Sequence, residues 1–365
     1  VTPAQSILSV SLEPARPGSA AQTHLLAIAQ GLTSHGYRVS TVWRQEDAAL
    51  AGVPGFALSL LRQVRHADLV YLRWHALDAL TPTLSRLARR PLVTEVNGLP
   101  DDLLSNRPGL SRLGPLIRAV NRYALGQGTL LLCASAGVAA RVREVTGADI
   151  PIVVVRSGAH PPSAGPEQAA SSVPHRERPY VLYFGDLSTR QGLRHLLHAR
   201  MSDDWPVGVD LVVAGDGPLR PLVQQHAVRG ELDYLGRVAA APLSGWIRGA
   251  TATLSLQDPD LARNAVMGVP LKVVESLMLG TPVIASALSD VPDVVAGQPA
   301  GLLVDPRAEA EVCRAVRQSL LVTREVRTQI AERARHDLSW ERAVEQTVAA
   351  IRSLPERQAR SRTLR

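Results

Sequence analysis

The sequence predicts an α/β protein made of two successive parallel-sheet domains. Three observations carry this. Short, near-continuous apolar runs of strand length alternate with stretches of helical periodicity along most of the chain. The alternation stops at a Pro-, Ser- and Ala-rich stretch, GAHPPSAGPEQAASSVPHRERP, and restarts after it. Finally, 365 residues exceed one ordinary core and suit two domains of about 150 to 200 residues. The expected division is a first domain over 1–160, a linker over 161–179 and a second domain over 180–338. A helix over 339–354 and a basic, unstructured tail over 355–365 follow.

The first run, SILSVSL, reads as a strand. It leads through the loop EPARPGSAAQ into HLLAIAQGLTSHG, where Leu25, Leu26, Ile28, Ala29 and Leu32 recur at helical spacing. Gly36 ends that helix and YRVSTVW is the next strand, completing a β-loop-α-β unit. ADLVYLRW, RPLVTEVNG, GTLLLCAS and IPIVVVRSG continue the series. Beyond the linker the strands are PYVLYFGDL, VDLVVAGDG, LDYLGRV, ATATLSLQ, TPVIAS and GLLVD. In SWERAVEQTVAAIRSL, Ser339 is placed to cap a helix whose Val344, Val348 and Ile351 share one side.

Composition narrows the class. Apolar residues make up 45% of the chain but aromatics only 4%, so Leu, Val and Ala must supply the packing. Cys133 and Cys313 stand far apart in apolar surroundings, as expected of reduced, buried thiols in a cytoplasmic protein. No apolar run reaches the roughly 20 residues of a membrane span, and the first residues lack a signal-peptide layout. Residues 1–160 hold 16 Arg against 10 acidic residues, whereas 161–365 hold 24 basic against 23 acidic. That asymmetry leaves an anionic partner or the inner face of a membrane open to the first domain, as a peripheral contact. A nucleic-acid partner is not expected. GxGxxG, GxxxxGK[ST] and GxSxG are absent and no Cys/His group has zinc spacing, so dinucleotide, P-loop, hydrolase-elbow and zinc chemistries lose their signatures.

In open α/β sheets, ligands bind beyond the carboxyl ends of strands, among free backbone N–H groups and helix N-termini. In the second half those turns are GDLSTRQG, AGDGPLR, LGRV and the stretch MGVPLKVVE. The last holds Lys272, the only lysine among 40 basic residues. A helix opening near Pro270 could hold a phosphate with Lys272 beside it, and Glu275 could accept from ribose hydroxyls. Alternatively, Lys272 and Glu275 are a surface i,i+3 pair.

The stretch PLKVVESLMLGTPVIASALSDVPDVV followed by GLLVDP resembles the donor-binding half of glycosyltransferase family 4, with its Glu-x7-Glu motif and GxPVIA run. YFGDLSTRQGL, VVAGDGPLRPLV, LDYLGRV and LSWERAVEQ match further family motifs in order across 180–350. The first half is similar more loosely, through PGSAAQTHLLAIAQGLTSHGYRV, VYLRWH and PLVTEVNG. The resemblance implies a GT-B fold, two Rossmann-like domains facing each other across a cleft and closing on the donor. It implies a retaining transfer of a sugar from a nucleotide diphosphate sugar to an acceptor hydroxyl, on a polysaccharide, a lipid-linked sugar or a small molecule. Neither a metal nor a cofactor is implied; the nucleotide sugar is a co-substrate.

Carried over by position, the resemblance gives Glu275 to the ribose, and Leu271, Lys272, Arg190 and Gly217 to the phosphate side. Arg237 and Val238 go to the base. Gly18, Ser19, His24 and Arg73 form the acceptor side, with Glu95 and Asn97 near the transferred sugar; Asn97, Glu95 and Lys272 are the catalytic candidates. Alternatively, Arg73 and Glu95 are an internal ion pair between neighbouring strand ends. The sequence departs from the pattern at Met267, which replaces the first Glu of the motif, and at Asp186 and Gln191, which replace a phosphate-binding Arg and Lys. A catalytically degenerate member, acting as a nucleotide-sugar-binding or partner subunit, is therefore the alternative.

Overall fold

The computed structural model describes residues 5–13, 20–44, 53–98, 108–147, 149–159, 176–296, 298 and 301–354. The chain divides into two compact units. One comprises Val1–Ala134, Val138–Val155 and Ala343–Arg365, and the other Ser135–Gly137 and Arg156–Arg342. The expected linker and basic tail fall almost wholly outside the described residues.

The first unit contains strands β1 (Ser6–Ser11), β2 (Arg38–Trp43), β3 (Leu69–Arg73), β4 (Leu92–Val96), β5 (Leu130–Cys133) and β6 (Ile152–Val154). They form one parallel sheet in the order β2-β1-β3-β4-β5-β6. Every residue of β4 and β5 is buried; β5 is accordingly an unbroken apolar run, whereas β4 buries Thr94 and Glu95 among its apolar residues. β2 lies at the edge and is largely exposed, consistent with its polar alternation. The helices are α1 (Ala20–Ser34), α2 (Val53–Gln63), α3 (Leu80–Leu87), α4 (Gly114–Gly126) and α5 (Ala136–Thr146), the last beginning in residues grouped with the second unit. In α1 the buried stripe is His24, Leu25, Ile28 and Leu32, while Leu26 is exposed.

The second unit repeats the plan. Strands β7 (Tyr180–Asp186), β8 (Asp210–Asp216), β9 (Asp233–Gly236), β10 (Ala252–Ser255), β11 (Val283–Ser286) and β12 (Gly301–Val304) form a parallel sheet in the order β12-β11-β10-β7-β8-β9. Its helices are α6 (Leu193–Met201), α7 (Arg220–Val228), α8 (Ala240–Gly249), α9 (Leu271–Met278), α10 (Val291–Val295), α11 (Glu309–Ser319) and α12 (Arg324–Asp337). The central strand β7 supplies both faces of the core by its two-residue period: Val181 and Tyr183 join one apolar cluster, and Tyr180, Leu182 and Phe184 the other. Cys133 and Cys313 are free and buried.

The last helix, α13 (Trp340–Arg352), follows the expected cap: the Ser339 hydroxyl accepts from the Arg342 N–H at 3.2 Å. Val344, Val348 and Ile351 are buried. The helix runs close against α1, where a Cβ on Gly31 would come within 2.3 Å of Val344 Cγ2. From Ala343 onward the chain thus completes the first unit after building the second.

Candidate active site

The carboxyl edge of the second sheet is shaped by backbone that side chains cannot share. Gly185 and Gly215 face each other in register at the ends of β7 and β8, both with positive φ, and a Cβ on Gly215 would sit 1.9 Å from the Gly185 carbonyl oxygen. Gly192, at φ 66°, opens α6; a Cβ there would meet the Leu256 carbonyl oxygen at 1.4 Å. The loops after β7 and β10 are thereby pressed together.

Asn264, which sequence reading passed over, locks that contact. It is buried, and its amide donates to the carbonyls of Arg190 at 2.9 Å and Asp258 at 2.8 Å. Asn264→Ala should cost about 1–3 kcal/mol, because two carbonyls lose their donor inside the loop. Urea unfolding of the variant checks this.

Lys272 stands on the floor of the same edge. It is the second residue of α9, and its Nζ lies 4.4 Å from the centre of the Tyr183 ring. The ammonium is buried and, among the described residues, has no hydrogen-bond partner. The surface pair with Glu275 is therefore not formed. Burial pulls the Lys272 pKa down to about 8, against a partial counter-pull from Asp186. The absence of a side chain on Gly185 leaves room next to this group, since even a Cβ there would be 3.6 Å from Nζ. Tyr183 is itself fixed, its hydroxyl donating to the Asp186 carbonyl at 2.7 Å. The sequence showed the lysine but not its aromatic seat, which lies 89 residues earlier on another strand.

Leu271, half-buried, is the first residue of α9; Pro270 caps it without a side-chain bond, its carbonyl accepting from the Val273 N–H at 2.9 Å, which leaves the Leu271 and Lys272 N–H groups without intrahelical acceptors. Glu275 is one turn on. It is solvent-accessible, yet the surrounding protein raises its pKa and Lys272 only partly offsets this. Asp186, at a substituted motif position, pairs with Arg190 at 3.3 Å, so the aspartate's charge is partly matched from within the loop. Gly217 has its N–H engaged by Asp216 Oδ1 at 2.9 Å. Arg237 is 85% exposed, 3.5 Å from Asp216, and Val238 packs beside Tyr180 and Ile247. The Met267 sulfur lies 3.9 Å from the Arg263 guanidinium.

A second group of polar residues lies at the carboxyl edge of the first sheet. Glu95 ends β4 beside Arg73, its register partner on β3. Tyr71 donates to Glu95 Oε2 at 2.6 Å, and Arg73 to Oε1 at 3.0 Å. His24 Nε2 lies 2.6 Å from Oε1, and the Asn97 amide donates to the same oxygen. Arg73 also donates to Glu13 at 2.9 Å. Burial alone would raise the Glu95 pKa, but His24, Arg73 and Tyr71 hold it well below the carboxylate range. A carboxylate held ionised by four side chains fixes its neighbours rather than exchanging protons. Tyr71 and Glu13 were not singled out by sequence; Gly18 and Ser19 lie outside the described residues.

The opposite, amino-terminal edge of the second sheet bears an open depression of about 520 Å3. Its Arg176 is committed to Asp210 and Asp233, and its Arg200 guanidinium lies over the Trp205 ring at 5.5 Å.

Residues 178–321 match the model of the family Glycosyl transferases group 1. The matched stretch covers less than half of the chain. It contains β7 through α11, and with them every donor-side candidate named above. The chain is 28% identical over 184 residues to O-antigen chain mannosyltransferase B of Escherichia coli, covering 48% of this chain and 46% of that protein. It is 29% identical over 146 residues to a GDP-mannose-dependent alpha-(1-6)-phosphatidylinositol dimannoside mannosyltransferase of Mycobacterium tuberculosis, covering 40% and 36%. The matched stretch thus spans less than half the length of either relative.

Solved structures resemble the chain over nearly its whole length. Sucrose-phosphate synthase from Thermosynechococcus elongatus aligns with a TM-score of 0.76 at 17% identity, over 96% of this chain and 99% of that one. Anabaena HepE in complex with UDP aligns at 0.72 and 17%, over 96% and 100%. The two six-stranded parallel sheets with their helices are the GT-B fold.

Proposed function

We propose that this protein is a retaining glycosyltransferase that moves a sugar from a nucleotide diphosphate sugar to an acceptor hydroxyl without a metal ion. The observation that carries the reading is the Lys272 ammonium, buried without a hydrogen-bond partner beside the open N-terminus of α9. A cation held so is a costly arrangement unless an anion completes it. When the bond from the sugar to the diphosphate breaks, negative charge grows on the leaving group; Lys272 and the free N–H groups of α9 are fixed where they stabilise it.

In this reading Leu271 and Lys272 face the phosphates, Glu275 accepts from the ribose hydroxyls, and Arg237 and Val238 border the base. Arg190 supplies a second cation only by exchanging its Asp186 partner for the diphosphate. The first unit recruits the acceptor through Gly18, Ser19, His24 and Arg73, with Asn97 near the sugar, positioned by Glu95. The acceptor is a sugar, lipid-linked or small-molecule hydroxyl. The matched relatives act as mannosyltransferases, one named for GDP-mannose, while HepE was solved with UDP. GDP-mannose and UDP-glucose are therefore the first two donors to compare.

Glu275→Gln should weaken binding of GDP or UDP by up to about tenfold while leaving a 2′,3′-dideoxy analogue little affected, since an amide accepts less strongly than a carboxylate. Calorimetry with the paired ligands checks the assignment; equal losses would remove Glu275 from the ribose. Turnover of either nucleotide sugar tests the reaction itself. Binding without turnover, across acceptors, would favour the degenerate subunit.

A further inference from the structure

The first unit carries a surface that neither the sheet edge nor the donor reading uses. The helices α2, α3 and α4 and the short 3-10 segments Val64–His66 and Pro108–Leu113 lie side by side. The Thr83 and Tyr123 hydroxyls meet at 3.1 Å between α3 and α4, and Arg90 donates to the Arg65 carbonyl at 2.5 Å. Inward, α2 and the segment after it bury Phe56, Leu60 and Val64, α4 buries Ile117, Ala124 and Leu125, and α3 buries Thr81, Pro82 and Ser85.

What they expose is unusual for a water-facing surface. Leu58, Leu61, Leu80, Leu87, Leu113 and Leu116 are exposed, Leu87 by 74% and Leu116 by 61%. Interleaved with them are exposed arginines: Arg62 and Arg65 after α2, Arg86 and Arg89 at the end of α3, and Arg112, Arg118 and Arg122 around α4. Residues 53–66, 80–91 and 108–126 contain eight arginines and no aspartate or glutamate. Of the described carboxylates between these segments, Asp78 is buried against Thr81, Asp68 is held by the Ser6 N–H and hydroxyl, and Glu95 by Tyr71 and Arg73; Asp101 and Asp102 lie outside the described residues. No helix of the described residues is long and apolar enough to cross a membrane.

We propose that this face docks the protein on an anionic lipid bilayer, lying on the membrane without spanning it. A bilayer surface places negative headgroups above an apolar layer. Leucines that enter the acyl boundary, with arginines whose stems follow them and whose guanidinium groups stay among the phosphates, match that order of layers. The complete lack of carboxylates in the three segments removes the repulsion that would oppose such docking. A protein partner or a second copy of this chain, which has the same basic face, would have to supply both the missing acidic groups and an apolar counter-surface.

The test is co-sedimentation of the whole protein with phosphatidylcholine vesicles, with and without about 30 mol % phosphatidylglycerol, at two salt concentrations. Binding is expected to the anionic vesicles at low salt, weaker at about 0.5 M salt and marginal to phosphatidylcholine alone. Leu87→Glu with Leu116→Glu should reduce the partition at least tenfold, as should Arg86→Gln with Arg122→Gln; all four positions are exposed, and thermal melts establish that the variants fold. Absence of binding, binding that the folded variants retain in full, or self-association that these substitutions abolish would each overturn the proposal, the last assigning the face to a second copy.

Discussion

Glu95→Ala is expected to destabilise the first unit by about 3–5 kcal/mol, the loss typical of a buried charge pair deprived of one partner. The carboxylate is 5% exposed and serves Tyr71, Arg73, His24 and Asn97 together. Its removal leaves a guanidinium with only Glu13 and a fully buried phenol with no acceptor given by its own strand. Because the folded-state pKa of Glu95 lies below its ordinary 4.5, its contribution is present above that pH and is lost as pH falls below it. Acid titration of stability should therefore be shallower in the variant than in the parent. A double-mutant cycle with Arg73→Ala should give strong coupling in stability. Additive losses would mean that the two residues do not support each other.

Lys272→Met is expected to weaken nucleoside diphosphate binding by about 1.5–3 kcal/mol, roughly tenfold to 150-fold, with the fold intact. The methionine keeps an apolar stem over Tyr183 and removes only the charge. The pH dependence has a definite sign. With its pKa drawn down to about 8, Lys272 loses its proton as pH rises through that value in the free protein. Diphosphate affinity should then fall between about pH 7 and 9 in the parent and stay flat in Lys272→Met. Stability follows the opposite course. The unfolded chain keeps the lysine proton up to about 10.5, so the cost of burying the ammonium is relieved as pH rises from about 8 toward that value. Calorimetry at three pH values decides the matter: equal affinity in the variant would detach Lys272 from the phosphates.

The strands were legible because a parallel strand covered on both faces is mostly apolar, its few polar groups, such as Glu95, being held by buried partners. LVTEV and LLLC show no polar alternation, and both are wholly buried. Their neighbours in the sheet were not legible, since β1 lies between β2 and β3, and β10 beside β7. That order is what joins Arg73 to Glu95 in register. The donor edge was read from glycines and from one lysine. Tyr183 and Asn264 escaped because their roles depend on which loop lies over which strand, and an apolar run containing a tyrosine looks like any other core strand. The exchange of a basic motif residue for Asp186 was visible as a defect; its partnership with Arg190, four residues on, was not.

A chain with 39 arginines and one lysine carries its own reporter. Growth on lysine labelled with carbon-13 at the ε position would place a single side-chain resonance in the spectrum of the whole protein. That methylene is bonded to the ammonium that stands 4.4 Å from the centre of the Tyr183 ring, whose aromatic current shifts nearby protons. Any ligand that draws the ammonium away from the ring would move the signal back. Occupancy could then be followed without knowing the acceptor, and nucleotide sugars ranked by a single peak.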